Sequence, residues 1–306
     1  MSLTLEQALA RVPLFQSNPN LQPQPITGGI TNRNYRVEVN GESFVLRLSG
    51  KNTELLGIHR PTEREANSAA AALGFAPEVI YFIEPEGYLV TRFVEGEPIA
   101  VETMQMEDWL AQVAGALQQF HTRAPVLETS FDIFEVIAAL TQVARENHCV
   151  FPPNFAELMG KADVVRRALA YELYTPRPCH NDLLNANFLN VNGKLIILDW
   201  EYAGMGDVYF DLANFSHHHA LADTQIRFFL AAYFGATTEK HFARLKLMEP
   251  LSDLREALWG TVQSGISTLD EDFAGYAHQW YTRAAEAFQD ERFDGWLSTV
   301  SGSDGF

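Results

Sequence analysis

Cysteine is scarce: Cys149 and Cys179 stand thirty positions apart in 306 residues, outside any metal-ligand spacing. That disfavours a disulfide framework and a zinc site, and the chain reads as a reduced, cytoplasmic protein. Cationic side chains are also few. Against 39 Asp and Glu there are 22 Lys and Arg, a formal net charge of −17. Such a field repels polyanions, so neither nucleic acid nor an anionic membrane surface is an expected partner, whereas a small cation is drawn in. No stretch of about eighteen uncharged apolar residues occurs. The start, Met1-Ser2-Leu3-Thr4-Leu5-Glu6, lacks a basic region followed by an apolar run, so membrane insertion and secretion are not expected. Internal repeats and low-complexity tracts are missing too, and the sequence carries no signature of oligomeric state.

What is present suffices for a large core and two lobes. Residues 1–95 read as a small antiparallel-sheet lobe for a nucleotide, preceded by a short helix over residues 4–12. Alternation in residues 34–39 and 43–48 around Asn40-Gly41 predicts a β-hairpin, since Asn-Gly adopts positive φ cheaply. Pro61-Thr62-Glu63-Arg64-Glu65 opens a helix, with Thr62 and Glu65 at capping-box spacing and Gly74 as its stop. Strands over 79–83 and 88–93 follow, turning at Glu86-Gly87. Residues 96–306 switch to helical periodicity, as in Leu110, Val113, Leu117 and Phe120, with a second hairpin at Asn192-Gly193 and a polar, frayed tail from Ser298. The expected class is α+β: a small antiparallel-sheet N-lobe and a larger, mostly helical C-lobe holding a catalytic loop and substrate pocket.

One interruption of the helical lobe carries the chemistry. It reads His180-Asn181-Asp182-Leu183-Leu184-Asn185-Ala186-Asn187, and a strand-like run Leu195-Ile196-Ile197-Leu198 then delivers Asp199. Phosphoryl transfer needs a carboxylate at the acceptor hydroxyl, and an amide with a second carboxylate to hold Mg²⁺ against nucleotide phosphates. Asp182 fits the first role, taking or orienting the hydroxyl proton. Asn187 and Asp199 offer the hard oxygens that Mg²⁺ prefers, and His180 braces the loop. An Asx-rich turn that merely caps helices leaves the apolar strand before Asp199 unexplained. His217-His218-His219 suggests no metal, because neighbouring helical positions point to different faces.

Upstream, Gly28-Gly29-Ile30-Thr31-Asn32 lies between the first two strands, where backbone N–H groups and small side chains are placed to cover a nucleotide's phosphates. Arg47 is placed to pair with phosphates, and Glu65 to pair with Arg47 from the following helix. Phe93 and Val94, in the linker between lobes, are assigned to adenine through their backbone groups.

The His-x-Asp-x-x-x-x-Asn loop with its strand-end Asp resembles the kinase-like fold. Arg47 stands where eukaryotic protein kinases carry lysine, Asn181 where they carry arginine, and Asp199-Trp200-Glu201 where they have Asp-Phe-Gly. A Gly-x-Gly-x-x-Gly loop and a long activation segment are both missing, which disfavours a protein kinase. The chain is more similar to the aminoglycoside phosphotransferase and choline/ethanolamine kinase superfamily. Three stretches resemble choline/ethanolamine kinases: Gly28-Gly29-Ile30-Thr31-Asn32 with Val45-Leu46-Arg47-Leu48-Ser49-Gly50; Cys179-His180-Asn181-Asp182 with Leu198-Asp199-Trp200-Glu201-Tyr202; and Leu258-Trp259-Gly260-Thr261-Val262-Gln263-Ser264-Gly265-Ile266-Ser267 running on to Tyr276.

That resemblance implies an ATP- and Mg²⁺-dependent phosphotransferase acting on the hydroxyl of a small cationic alcohol, choline or ethanolamine. It places Trp259 and Tyr276 in the wall of an alkylammonium pocket, adds Glu201 and Glu256 to that pocket, and gives Asp211 the bracing of the catalytic loop. A quaternary ammonium has no N–H and is held by π faces. Glu256, where the family often has another Trp, suits a primary ammonium at least as well. Tyr202-Ala203-Gly204-Met205-Gly206-Asp207 also resembles thiamine kinases and the choline kinases of surface-polysaccharide pathways. Thiamine, aminoglycoside or sugar phosphorylation therefore stands as an alternative, as does a catalytically inactive pseudokinase.

Overall fold

Thr4 starts the first helix, α1 (Leu5–Arg11), through a capping box: its hydroxyl accepts from the Gln7 amide, and the Gln7 side chain accepts from the Thr4 amide at 2.9 Å. The computed structural model describes residues 3–18, 20–26, 32–50, 53–171 and 174–302. Gly28, Gly29 and Thr31 lie outside the described residues. α1 and the short α2 (Pro13–Gln16) cover one face of a five-stranded antiparallel sheet. Its strands are β1 (Gln24–Ile26), β2 (Arg33–Val39), β3 (Glu42–Leu48), β4 (Val79–Ile83) and β5 (Tyr88–Arg92), in the order β1-β2-β3-β5-β4. The expected hairpin closes β2 to β3 with Asn40 at φ 54° and Gly41 at φ 82°.

Strand alternation decides what faces the helical part. Along β3, Phe44, Leu46 and Leu48 are buried beside Ala8, Val12 and Phe15, so Val45 and Arg47 emerge on the opposite face. Between β3 and β4 runs α3 (Arg60–Ala72). Its alanines Ala66 and Ala70, with Phe75, join the larger apolar cluster of the helical lobe. Their packing seats the sheet on that lobe.

α3 begins three residues earlier than the capping-box spacing predicts. His59 is its N-cap, and Thr62, already inside the first turn, bonds the His59 ring at 2.8 Å instead. Pro61 explains the early start: its φ is preset for a helix, and its missing N–H is one the first turn leaves unpaired anyway.

The helical lobe contains α4 (Val101–Met104), α5 (Glu107–Arg123), α6 (Ile133–Glu146), α7 (Phe155–Leu169), α8 (Val208–His218), α9 (Asp223–Phe234), α10 (Glu239–Ile266), α11 (Phe273–Phe288) and α12 (Phe293–Ser301). Two small sheets interrupt it. In one, β9 (Phe188–Val191) pairs with β10 (Lys194–Ile197) and with β6 (Glu97–Pro98) from the linker. In the other, β11 (Gly204–Gly206) lies between β7 (Ser130–Phe131) and β8 (Arg177–Cys179). α12 corrects the expected frayed tail. Trp296, Leu297 and Val300 form an apolar stripe that is buried, and the helix persists to Ser301 before Gly302 at φ 67° ends it. Among the described residues, no helix is long and apolar enough to cross a membrane.

Candidate active site

The loop between β8 and β9 has few backbone partners of its own, so α8 supplies them. Asp211 Oδ2 accepts from the His180 amide at 2.8 Å and Asp211 Oδ1 from the Asn181 amide at 2.6 Å. Asn214, three residues on and therefore on the same helical face, accepts from the Leu183 amide at 2.6 Å. Behind Asp211, the His121 ring lies 2.9 Å from Oδ2 and is held in turn by the Tyr233 hydroxyl at 2.6 Å. Burial alone would raise the Asp211 pKa, yet the hydrogen bond and charge from His121, with His180 beyond, hold it below the usual carboxylate value. His121, Cys179 and Asp211 converge closely, but with both Asp211 oxygens spent on these donors the trio is a hydrogen-bonded brace.

His180 works from inside the loop. Its Nδ1 accepts from the Asp182 amide at 3.2 Å and its Nε2 donates to the Leu198 carbonyl at 2.9 Å. That pattern requires the neutral ring, and burial pushes its pKa down accordingly. Trp200, 1% exposed, packs at 4.5 Å from both the His180 and Phe120 rings. Asn181 adopts φ 68° and Asp199 φ 58°, left-handed conformations that Asn and Asp tolerate better than most residues.

Asp182, Asn187 and Asp199 converge. The Asn187 Nδ2 donates to the Asp182 carbonyl at 2.8 Å and lies 3.4 Å from Asp182 Oδ2. The Asn187 carbonyl accepts from the Leu198 amide at 2.8 Å, which brings Asp199 alongside. Burial pushes the Asp182 pKa up to about 7; the charge of Arg255 opposes this, and the carboxylates of Glu256 and Glu201 add to it. Burial in the cleft, then Glu201, hold Asp199 well above the usual carboxylate value, although 35% of its side chain stays open to solvent.

Across the cleft, the outward face of β3 presents Arg47, whose Nη1 reaches Asp199 Oδ1 at 3.2 Å. Its second partner is Glu63, not Glu65. Two residues along a helix turn a side chain by about 200°, so only one of the two glutamates can face the sheet. Arg60 bonds Glu63 at 2.7 Å and Glu201 at 3.0 Å, while Asn32 bonds Glu201 at 3.1 Å and the Gly50 amide at 3.3 Å. Glu201 thus ties to the sheet side rather than standing with Glu256. In the linker, the Phe93 amide donates to the Ser43 carbonyl at 2.9 Å, so that N–H is spent and Phe93 cannot offer it to adenine; Val94 follows it, half-buried. Gly96 lets the linker approach β9, since a Cβ there would meet Val191 at 2.9 Å.

The far end of the cleft is built by α10 and α11. Trp259 and Tyr276 stand 5.5 Å apart, edge to face, and the Trp259 indole donates to the Tyr202 hydroxyl at 3.0 Å. Gly260 permits the close approach of the helices: a Cβ there would meet the Tyr276 ring at 2.8 Å. Tyr276 donates to Glu256 Oε2 at 2.8 Å. Sequence reasoning missed Arg255, which is 2% exposed, bonds Asp182 Oδ1 at 3.0 Å, pairs with Glu256 and lies over the Tyr202 ring at 4.1 Å. The signal was its position beside Glu256, which stands three residues before Trp259 on the same helix. The three histidines that close α8 are dispersed, with His217 on Asp253 at 2.7 Å, His218 against Trp280 at 4.8 Å and the C-cap His219 on the Phe215 carbonyl at 2.8 Å.

The site's charge balance suits a divalent cation. Glu63, Asp182, Asp199, Glu201 and Glu256 line the cleft against Arg47, Arg60 and Arg255, an excess of carboxylate. Asn187 spends its amide nitrogen on Asp182, which leaves its oxygen for a hard cation beside Asp199.

The model of the phosphotransferase enzyme family (APH) matches residues 23–247. A choline/ethanolamine kinase family protein from Mesorhizobium loti superposes with a TM-score of 0.82 at 27% identity, over 96% of this chain and 97% of that one. The choline kinase LicA from Streptococcus pneumoniae superposes with a TM-score of 0.77 at 25% identity, over 89% and 95%. Human ethanolamine kinase 2 is 26% identical over 302 residues, 85% of this chain and 75% of its own. With its two-lobed kinase-like fold, the chain belongs to the phosphotransferase enzyme family as a small-molecule kinase.

Proposed function

We propose that the protein transfers the γ-phosphoryl group of ATP to the hydroxyl of a small cationic alcohol, choline or ethanolamine, with Mg²⁺ held by Asn187 and Asp199. The observation that carries this reading is the meeting of Asp182, Asn187 and Asp199 opposite the Arg47–Glu63 pair. The relatives named as choline and ethanolamine kinases supply the substrate class, and the chain's negative charge favours a cation.

Asp182 receives or orients the proton of the acceptor hydroxyl, its pKa near 7 matching a base that works at neutral pH. Arg255 keeps one Asp182 oxygen engaged, so the carboxylate presents a fixed direction. Arg47 moves its charge between Asp199 and the phosphates, and Glu63 keeps the guanidinium in place. Asn187 and Asp199 would hold Mg²⁺, which would supply positive charge against the nucleotide phosphates. Residues 1–95 form the nucleotide lobe in this scheme, with Gly28, Gly29, Thr31 and Asn32 over the phosphates and Val94 at the base. Residues 96–306 carry the loop and the acceptor pocket, where Trp259 and Tyr276 wall the amine end.

A panel of acceptors incubated with ATP and Mg²⁺ tests the reading through the phosphorylated product. Phosphocholine or phosphoethanolamine is the expected product. Turnover of thiamine or an aminoglycoside with neither amine alcohol consumed would refute it.

A further inference from the structure

Resting on the amine-alcohol reading above, we infer that Arg255 and Glu256 make this pocket selective for a primary ammonium over a trimethylated one. An aromatic box holds a quaternary ammonium only through π faces left bare. Here the face of Tyr202 is already covered: the Arg255 guanidinium lies 4.1 Å from the ring centroid and is 2% exposed. The protein's own cation occupies a surface that methyl groups would need.

What the pocket offers in exchange are hydrogen-bond acceptors. Glu256 is 2% exposed and shares its oxygens between Arg255 and the Tyr276 hydroxyl. One helical turn earlier on α10, Asp253 is fully buried, and its Oδ1 has no hydrogen-bond partner among the described residues. Positions three apart lie on one side of a helix, but the other Asp253 oxygen is held by His217 at 2.7 Å, so Glu256, on Tyr276, is the carboxylate that meets the aromatic wall. Buried acceptors of this kind are satisfied by N–H donors, and each methylation of the substrate nitrogen removes one. A site built around hydrogen bonds rejects analogues that lack them far more strongly than an apolar pocket rejects an extra methyl. Discrimination therefore resides in Arg255, which narrows the box, and in Glu256, which reads the N–H groups.

The test compares ethanolamine, N-methylethanolamine, N,N-dimethylethanolamine and choline as acceptors for the wild-type enzyme with ATP and Mg²⁺. The expected result is a stepwise fall in kcat/KM, reaching about a hundredfold between the ends of the series. Two variants locate the cause. Arg255→Leu uncovers Tyr202 and should raise the choline-to-ethanolamine ratio about tenfold; the ratio is used because loss of the Asp182 contact lowers both rates together. Glu256→Gln should raise the ethanolamine KM about tenfold more than the choline KM. Choline turned over as well as or better than ethanolamine by the wild type would overturn this inference and leave the proposed activity standing. Turnover of neither amine alcohol would overturn both.

Discussion

The two ends of the cleft are held in different ways. At the loop end, Asp182, Asn187 and Asp199 lie within eighteen positions of one another, and α8 fixes the loop through hydrogen bonds to its backbone. At the amine end, Arg255, Glu256, Trp259 and Tyr276 come from two helices and touch one another through side chains. A backbone held at several amides keeps its geometry whatever fills the cleft. A wall of interlocked side chains instead depends on helix spacing, and one substituted residue can retune it. Chemistry is therefore expected to be insensitive to changes at Trp259 and Tyr276, Arg255 being the exception because it also bonds Asp182, and selectivity insensitive to changes behind the loop.

The sharpest way to break that division is Asp182→Asn, which should lower kcat by about 10²–10⁴-fold while leaving the KM for ATP within a small factor; an unchanged kcat in steady-state assays would deny Asp182 its role. Asp211→Asn comes next. It replaces one accepting oxygen with an NH₂ facing backbone donors or His121, and the shifted loop should cost about a hundredfold in kcat without touching the substrate. A loss in KM for the amine alone would place Asp211 at the wrong end.

Gly260→Ala probes the other side. Its Cβ collides with Tyr276 and Ala277, so α11 should move off α10, at a cost of about 1–3 kcal/mol in urea unfolding. The KM for the amine alcohol should rise while the KM for ATP stays as it was.

The smallest effect is shared by both ends, since each leans on neutral histidines. Burial lowers the pKa of His180 behind the loop and, with the charge of Arg283, that of His218 near the amine end; it takes His219 from 6.5 down to about 4. At these histidines the unfolded chain binds more protons below about pH 6.5, so their contribution to stability is full above that value and falls as pH drops. For His219 the change in unfolding free energy between pH 7.5 and 5.5 should be about 1 kcal/mol, read as the difference in that pH dependence between wild type and His219→Gln, because the raised pKa values of Asp182 and Asp199 act in the opposite direction. Identical pH dependence in the two proteins would mean that the His219 ring is charged in the folded state at pH 5.5.

The legible parts were those with local causes. Asn40-Gly41 and Asn192-Gly193 are turns because those residues take positive φ, and the structure closes hairpins at both. Asp182, Asn187 and Asp199 could be grouped because a short loop and a tight hairpin leave them little freedom to separate. α12 was misread because Ser298, Thr299 and Ser301 hid the stripe of Trp296, Leu297 and Val300, whose partners lie far away in sequence.

Chain order alone was enough to point to the kinase-like class and to group Asp182, Asn187 and Asp199, because strand period, turn chemistry and loop spacing act over a few residues. Folding in three dimensions settled which glutamate of α3 meets Arg47, turned Glu201 toward Arg60 and Asn32, and drove Arg255 under the Asp182 carboxylate. Those choices depend on helix rotation and on burial between distant segments, where an ion pair forms only if packing brings both partners to the same place.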